Sequence, residues 1–228
     1  MTASPPPHDT DAALDWRNGD IPVSTRFDDP YYSLDNGLAE TRHVFLDGND
    51  LPARFVDGFH IAELGFGTGL NLLAAGLAWQ AAGVAGTLRF TTFEAFPVTA
   101  ADAARAQSQF PETEALAPHL APLWASERRL DLGWLQVEVI LGDARETLPA
   151  WQGRADAWFL DGFSPAKNPE LWDAALMQQI GRATAPGGTV ATYTAAGHVR
   201  RALTEAGFDV HRVPGFGRKR HMTVGRKA

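Results

Sequence analysis

Residues 63–71 read Glu63-Leu64-Gly65-Phe66-Gly67-Thr68-Gly69-Leu70-Asn71. Alternate glycines permit a tight turn and let the backbone approach a ligand closely, and the apolar run behind them would aim free helix N–H groups at the same place. A dinucleotide loop needs G-x-G-x-x-G; Gly65 and Gly67 meet its first two positions, but the third falls on Leu70. The pattern present is acidic-x-G-x-G-x-G, with a purely structural glycine turn as the alternative. Three further carboxylates stand where apolar runs end: Glu94, 25 positions after Gly69, then Asp143 and Asp161. A carboxylate at such a place can accept both hydroxyl hydrogen bonds of a ribose. Each alone also reads as a helix N-cap. In sequence order, at successive strand ends, they mark the edge at which open α/β sheets bind ligands.

The elements that must carry these residues alternate. Residues 59–64 read as a buried strand and 70–82 as a helix, then 88–95 as strand and 99–110 as helix. Residues 111–134, with prolines and two tryptophans, read as a partly helical insertion. Strand follows at 135–141, a short helix at 143–151, strand at 155–160, helix at 169–184, strand at 188–194 and helix at 197–206. Residues 208–213 and 221–225 make a closing strand pair. Such alternation predicts an α/β fold, a mainly parallel sheet covered on both faces with an antiparallel edge. Residues 1–13 are polar and proline-rich, a disordered leader. Residues 14–57, rich in aromatics and turns, form an N-terminal extension with short strands or a hairpin, and 14–228 form one domain.

The loop and its carboxylates resemble motif I and the following motifs of class I S-adenosylmethionine (SAM) methyltransferases, which have a Rossmann-like fold. The resemblance implies SAM as cofactor, held by Glu63, Gly65, Gly67, Thr68, Gly69, Asn71, Glu94, Gly142, Asp143, Ala144 and Asp161. In it Glu63 lies near the methionine moiety, Glu94 at the ribose and Asp143 at the adenine amino group. A more specific likeness lies in Asp161-Gly162-Phe163-Ser164-Pro165-Ala166-Lys167-Asn168-Pro169-Glu170-Leu171-Trp172. With Phe27-Asp28-Asp29-Pro30-Tyr31-Tyr32-Ser33, the run from Asn36 to Leu46, and Gly215-Phe216-Gly217-Arg218-Lys219-Arg220, it resembles the MnmD-type methyltransferases. These convert 5-aminomethyl-2-thiouridine at the tRNA wobble position to 5-methylaminomethyl-2-thiouridine. The family often forms the amino half of bifunctional MnmC, fused to an FAD-dependent oxidase that makes the amine. This chain has the look of the stand-alone form, with the oxidase half missing or on another polypeptide.

The resemblance implies attack of a primary amine on a sulfonium methyl, where positioning dominates the catalysis. The amine must shed a proton, and Asp161 is the residue expected to accept or orient it. Tyr31, Tyr32, Phe163 and Trp172 could stack on the uracil or line the methyl pocket, or be core aromatics. Lys167, Arg218, Lys219 and Arg220 are candidate phosphate contacts. Two other readings stay open: a methyltransferase acting on a small molecule or a protein, and a non-catalytic domain that binds a nucleotide or partner.

Composition bounds the rest. The 228 residues contain no cysteine, which excludes disulfides, thiolate metal sites and a cysteine nucleophile. Histidines such as His43, His60, His119, His198, His211 and His221 are scattered, and no metal is expected. The N-terminal residues lack the basic and apolar regions of a signal peptide, and no apolar run suits a membrane helix, so a cytoplasmic protein is expected. Net charge is −7, yet from Arg200 onward eight basic residues face only Glu205 and Asp209, a balance of +6 against −13 for the first 199 residues. A basic patch on an acidic body can bind a polyanion in one orientation, or be a solvated tail.

Overall fold

Within the three central strands, residues 60–64, 88–94 and 155–160, nearly every side chain is buried, as a parallel sheet covered on both faces requires. The computed structural model describes residues 12–17, 19–33, 36–125 and 127–228; most of the expected leader lies outside them. The chain opens with β1 (Leu14–Arg17), β2 (Ile21–Ser24) and β3 (Asp29–Pro30), a small antiparallel sheet, followed by helical turns that begin with α1 (Gly37–Thr41) and continue to Asn49. Then come β4 (His60–Leu64), α2 (Leu70–Ala82), β5 (Leu88–Glu94), α3 (Ala100–Gln107), β6 (Arg129–Asp131) and β7 (Leu135–Leu141). After these follow α4 (Ala144–Thr147), β8 (Ala155–Leu160), α5 (Ala174–Arg182), β9 (Thr184–Thr192), α6 (Gly197–Glu205), β10 (Phe208–Pro214) and β11 (His221–Lys227).

The main sheet has eight strands in the order β10-β11-β9-β8-β4-β5-β7-β6. The pairs β8–β9, β4–β8, β4–β5 and β5–β7 are parallel. The chain moves outward from β4 to one side and returns to build the other, so the order reverses between β4 and β8, and a crevice opens at their carboxyl ends. One face buries Leu72, Leu73 and Trp79 of α2 with Phe45, Phe90 and Phe159; the other buries Leu176, Ile180 and Leu203 with Phe93 and Trp158. Among the described residues no helix is long and apolar enough to cross a membrane.

The α/β fold with a mainly parallel sheet is as the sequence predicts, but three details differ. The insertion carries a strand, β6, which pairs antiparallel with β7 and makes a second antiparallel edge. Three residues of strand inside a proline-rich stretch carry too little periodicity to be read. The expected helix over 169–184 is two pieces, because Asp173 is extended (ψ 157°) and its carboxylate caps α5 by accepting from the Leu176 N–H at 2.7 Å. The strand expected from 188 begins at Thr184, with a register irregularity between Ala155 and Ala157 of β8.

Candidate functional site: a glycine loop under a carboxylate

The loop after β4 is left-handed at Gly65 (φ +85°), Gly67 (φ +51°) and Gly69 (φ +76°). A Cβ on Gly65 would lie 2.0 Å from the Asp161 carbonyl oxygen, and one on Gly67 would lie 2.9 Å from the Tyr31 ring. Space and backbone conformation both demand glycine there. Gly69 ends the loop as the residue before α2, with Trp124 of the insertion against it, and Gln107 donates to the Thr68 carbonyl at 2.8 Å. The loop is therefore held from outside by α3 and the insertion.

Glu94 closes β5 and points back at this loop. Its carboxylate accepts from the Gly67 N–H at 2.9 Å and the Phe96 N–H at 2.7 Å. Burial pushes its carboxyl above the usual range, and those N–H groups pull it back. Glu94 lines the cavity, and a carboxylate has about four acceptor sites, so it can still accept ribose hydroxyls. Beside it, past the end of the neighbouring β7, the Gly142 N–H donates to the Glu94 carbonyl at 2.9 Å, and Gly142 (φ +123°), Asp143 and Ala144 line the same cavity. Here the N-cap reading holds: Asp143 caps α4 through the Arg145 N–H at 2.9 Å and also takes the Arg145 guanidinium at 3.0 Å. That pairing holds its carboxyl below the usual range.

Asp161 follows β8, its N–H donating to the Leu64 carbonyl at 3.1 Å. Its side chain caps no helix and instead accepts from the Asn71 amide at 2.7 Å. The same amide donates to Glu63 at 2.8 Å, and its oxygen accepts from the Thr41 hydroxyl at 2.9 Å. Burial raises the Asp161 carboxyl to about 7, with Glu40 adding to the rise and the Asn71 hydrogen bond and Lys219 opposing it. Glu63 is fully buried behind Asn71, and burial pushes its carboxyl well above the usual range. It does not line the cavity, so it supports Asn71 rather than facing a ligand.

These groups surround a cavity of about 870 Å³ at the sheet's switch point. Its far wall joins two motifs distant in sequence. Phe163 stacks on Phe27 (ring centroids 4.6 Å apart) and meets Tyr31 edge-on at 5.1 Å. Asp29 accepts from the Ser164 N–H at 2.8 Å, and Lys167 lies 3.6 Å from both Asp28 and Asp29. Tyr32 also lines the cavity, its hydroxyl donating to the Asp20 carbonyl at 3.1 Å.

Several expected contacts are corrected. Trp172 is 2% exposed and does not line the cavity; its indole N–H donates to the Phe163 carbonyl at 2.8 Å and shapes the loop from beneath. Of the basic trio, Arg218 and Arg220 are exposed outside the cavity, while Lys219 lines it. Lys167 is engaged by Asp28 and Asp29 and does not stand free for a phosphate. Tyr193, just beyond β9, is a cavity residue the sequence reading missed, its hydroxyl donating to the Gly162 carbonyl at 2.6 Å. Its place at a strand's carboxyl end was the available signal.

A model of S-adenosyl-L-methionine-dependent methyltransferases matches residues 108–228, more than half of the chain. The chain belongs to this methyltransferase family. Two curated relatives, both called tRNA 5-methylaminomethyl-2-thiouridine biosynthesis bifunctional protein MnmC, come from Stutzerimonas stutzeri (strain A1501) and Pseudomonas aeruginosa (strain UCBPP-PA14). They are 45% and 46% identical over 94% of this chain, which covers 34% and 35% of theirs. The chain thus spans about a third of the length of these relatives. The crystal structure of MNMC2 from Aquifex Aeolicus superposes with a TM-score of 0.75 at 27% identity, over 96% of this chain and 71% of that one. TrmN from Thermus thermophilus (TM-score 0.50, 20% identity, 80% of this chain and 47% of that one) shares the fold.

SAM is the cofactor of this methyltransferase, and the residues present fit it. The loop leaves no room for a Cβ at Gly65 or Gly67, as close backbone approach requires. The buried Glu94 carboxylate is backed by two N–H donors and lines the cavity. Bound there, SAM supplies a methyl group on a sulfonium to an acceptor nucleophile.

Proposed function

We propose that this chain methylates the aminomethyl group of 5-aminomethyl-2-thiouridine at the tRNA wobble position, giving 5-methylaminomethyl-2-thiouridine. The observation that carries this reading is the junction over the cavity of the two motifs that most resemble the wobble-uridine enzymes. Asp29, Phe27 and Tyr31 meet Ser164 and Phe163 beside the Asp161 carboxylate. The relatives' printed name, at 45% identity over 94% of the chain, supports the same substrate.

In this reading Gly65, Gly67, Thr68, Gly69, Asn71, Glu94, Gly142, Asp143, Ala144 and Asp161 hold the cofactor's side of the cavity. Tyr31, Tyr32 and Phe163 hold the uracil by its faces and edges. An acceptor amine reacts only with a free lone pair, so the proton it carries must leave. Asp161, titrating near neutrality beside the cavity, is the group that accepts or orients that proton. Positioning supplies most of the remaining acceleration. Arg218 and Arg220, exposed beside the cavity, face the tRNA backbone. An FAD-dependent oxidase supplies the amine, residues 14–228 act as one methyltransferase domain, and the reaction takes place in the cytoplasm.

The test is incubation of the protein with SAM and tRNA bearing 5-aminomethyl-2-thiouridine, followed by mass spectrometry of the digested nucleosides. A gain of one methyl on that nucleoside is expected. Its absence, with SAM bound, would move the substrate to a small molecule or a protein.

A further inference from the structure

Four basic side chains line the cavity: Arg26, Arg145, Lys167 and Lys219. Three are matched by acids. Arg145 holds Asp143 at 3.0 Å, Lys167 lies 3.6 Å from Asp28 and Asp29, and the Lys219 ammonium lies 2.9 Å from the Glu40 carboxylate. Among the described residues Arg26 is paired with no carboxylate; its guanidinium carbon lies instead 4.1 Å from the centroid of the Phe96 ring and 5.7 Å from that of Phe27. The turn between β2 and β3 puts it there. The Phe27 N–H donates to the Ser24 hydroxyl at 3.2 Å, and Asp28 is left-handed (φ +47°) and held by Arg17 at 3.0 Å. Phe27 packs onto Phe163, ring centroids 4.6 Å apart, while Arg26 stays exposed at the cavity's rim. An aromatic face fixes a guanidinium without using up its N–H groups, so the fork is left open to an oxyanion.

We propose that Arg26 binds a phosphate of the RNA backbone adjacent to the nucleoside that enters the cavity. This rests on the wobble-uridine reading above for its partner and adds a contact at the mouth of the same site. A base that reacts inside a cavity must leave its stack, while the phosphates attached to its sugar remain outside. Phosphates are charged and costly to desolvate, so they stay where water reaches. Arg26 is exposed and meets that condition; the cofactor's seat does not, since Glu94, two residues before Phe96, is 8% exposed. The Phe27 ring lies against both Arg26 and Phe163, so the residue that takes the phosphate is joined through one stack to the ring proposed to hold the uracil. A forked guanidinium also matches two phosphate oxygens at once, as a lysine ammonium cannot.

The test sets Arg26→Ala and Arg26→Lys beside wild type, with tRNA and an anticodon stem-loop that both carry 5-aminomethyl-2-thiouridine. Arg26→Ala should weaken tRNA binding roughly 10-fold, the scale for a lost charged hydrogen bond, and reduce the salt slope by about 0.7–0.9. Arg26→Lys should restore the slope but only part of the affinity. In single turnovers the half-saturating tRNA concentration should rise by a similar factor, with the saturated rate within about twofold of wild type. SAM affinity by calorimetry should not move. A neutral methylphosphonate in place of the linkage 5′ or 3′ of the target nucleoside locates the contact. At one of the two positions it should weaken stem-loop binding to wild type about 10-fold and to Arg26→Ala hardly at all. No such difference between the two proteins at either linkage overturns the proposal. So does an Arg26→Ala protein with wild-type tRNA affinity, in which Arg26 only covers Phe96, or one with weakened SAM binding and intact tRNA binding, which makes Arg26 a cofactor residue. Wild type that binds this tRNA without methylating it ends the wobble-uridine reading and leaves the phosphate contact to be judged by the paired affinities. Wild type that binds neither RNA ends both.

Discussion

Asn71 donates its amide to Asp161 at 2.7 Å, so the first turn of the helix behind the glycine loop sets the direction of the carboxylate beside the cavity. The same side chain satisfies Glu63 and Thr41, which uses both its donors and its acceptor. Asn71→Ala should therefore leave two carboxyl groups without a donor and cost about 1–3 kcal/mol of stability, the scale for stranded buried polar groups. Urea unfolding measures this. A cost near zero would mean the three partners re-pair without the amide.

Asp161→Asn tests the proton acceptor. Asparagine keeps the size but loses the basicity, and turnover should fall ~10²–10⁴-fold with SAM affinity changed much less. Single-turnover rates that stay near wild type would remove Asp161 from the proton step.

The same carboxyl makes stability depend on pH in a defined direction. Its folded-state value of about 7 lies above the ordinary unfolded value, so between about pH 4 and 7 the folded protein holds a proton that the unfolded chain has released. Stability contributed by the protonated group is complete below pH 4 and declines as pH rises to about 7. Asp161→Asn should abolish that decline. At pH 8 the inactive variant should be more stable than wild type by about 1–3 kcal/mol, with the gap closing toward pH 4. Thermal or urea unfolding at both pH values checks the crossover, and a gap that widens on acidification would reverse the assigned shift.

Gly65 and Gly187 are both left-handed, at φ +85° and +71°, but only Gly65 has backbone where a Cβ would go. Gly187→Ala should cost about 1 kcal/mol and leave SAM binding intact. Gly65→Ala must displace the Asp161 carbonyl and should abolish measurable SAM binding by calorimetry. Retained affinity would mean that the loop is not the cofactor's seat.

Arg218 and Arg220 test the proposed partner. Replacing both by alanine should weaken tRNA binding and flatten its dependence on salt by up to about two units of slope, with SAM affinity unchanged. A filter-binding salt series that superposes on wild type would make this a solvated surface.

Local rules made much of this protein readable before any coordinates. The helix over 70–82 lies between Gly69 and Gly83, both left-handed, because apolar spacing and glycine punctuation act within a few residues. The strand at 155–160 is a largely apolar run of the kind buried on both faces, while 135–141 alternates buried apolar residues with exposed or half-buried ones. The glycine loop, and Glu94 and Asp161 at strand ends, followed from the same grammar together with the family resemblance. What needed tertiary structure was the assignment of each charged or aromatic side chain to a partner. Glu63 and Asn71 both lie in the loop motif, yet burial turns Glu63 into a support and Asn71 into the hinge of the site. Asp143 and Asp161 are alike as sequence signals, but Arg145 claims one and Asn71 the other. Trp172 belongs to the most specific motif and still turns its indole under the Phe163 carbonyl. Lys219 stands between two outward arginines, and its inward direction depends on Glu40, 179 residues away. Such pairings are decided by which surfaces the sheet order brings together, and no periodicity along the chain encodes them.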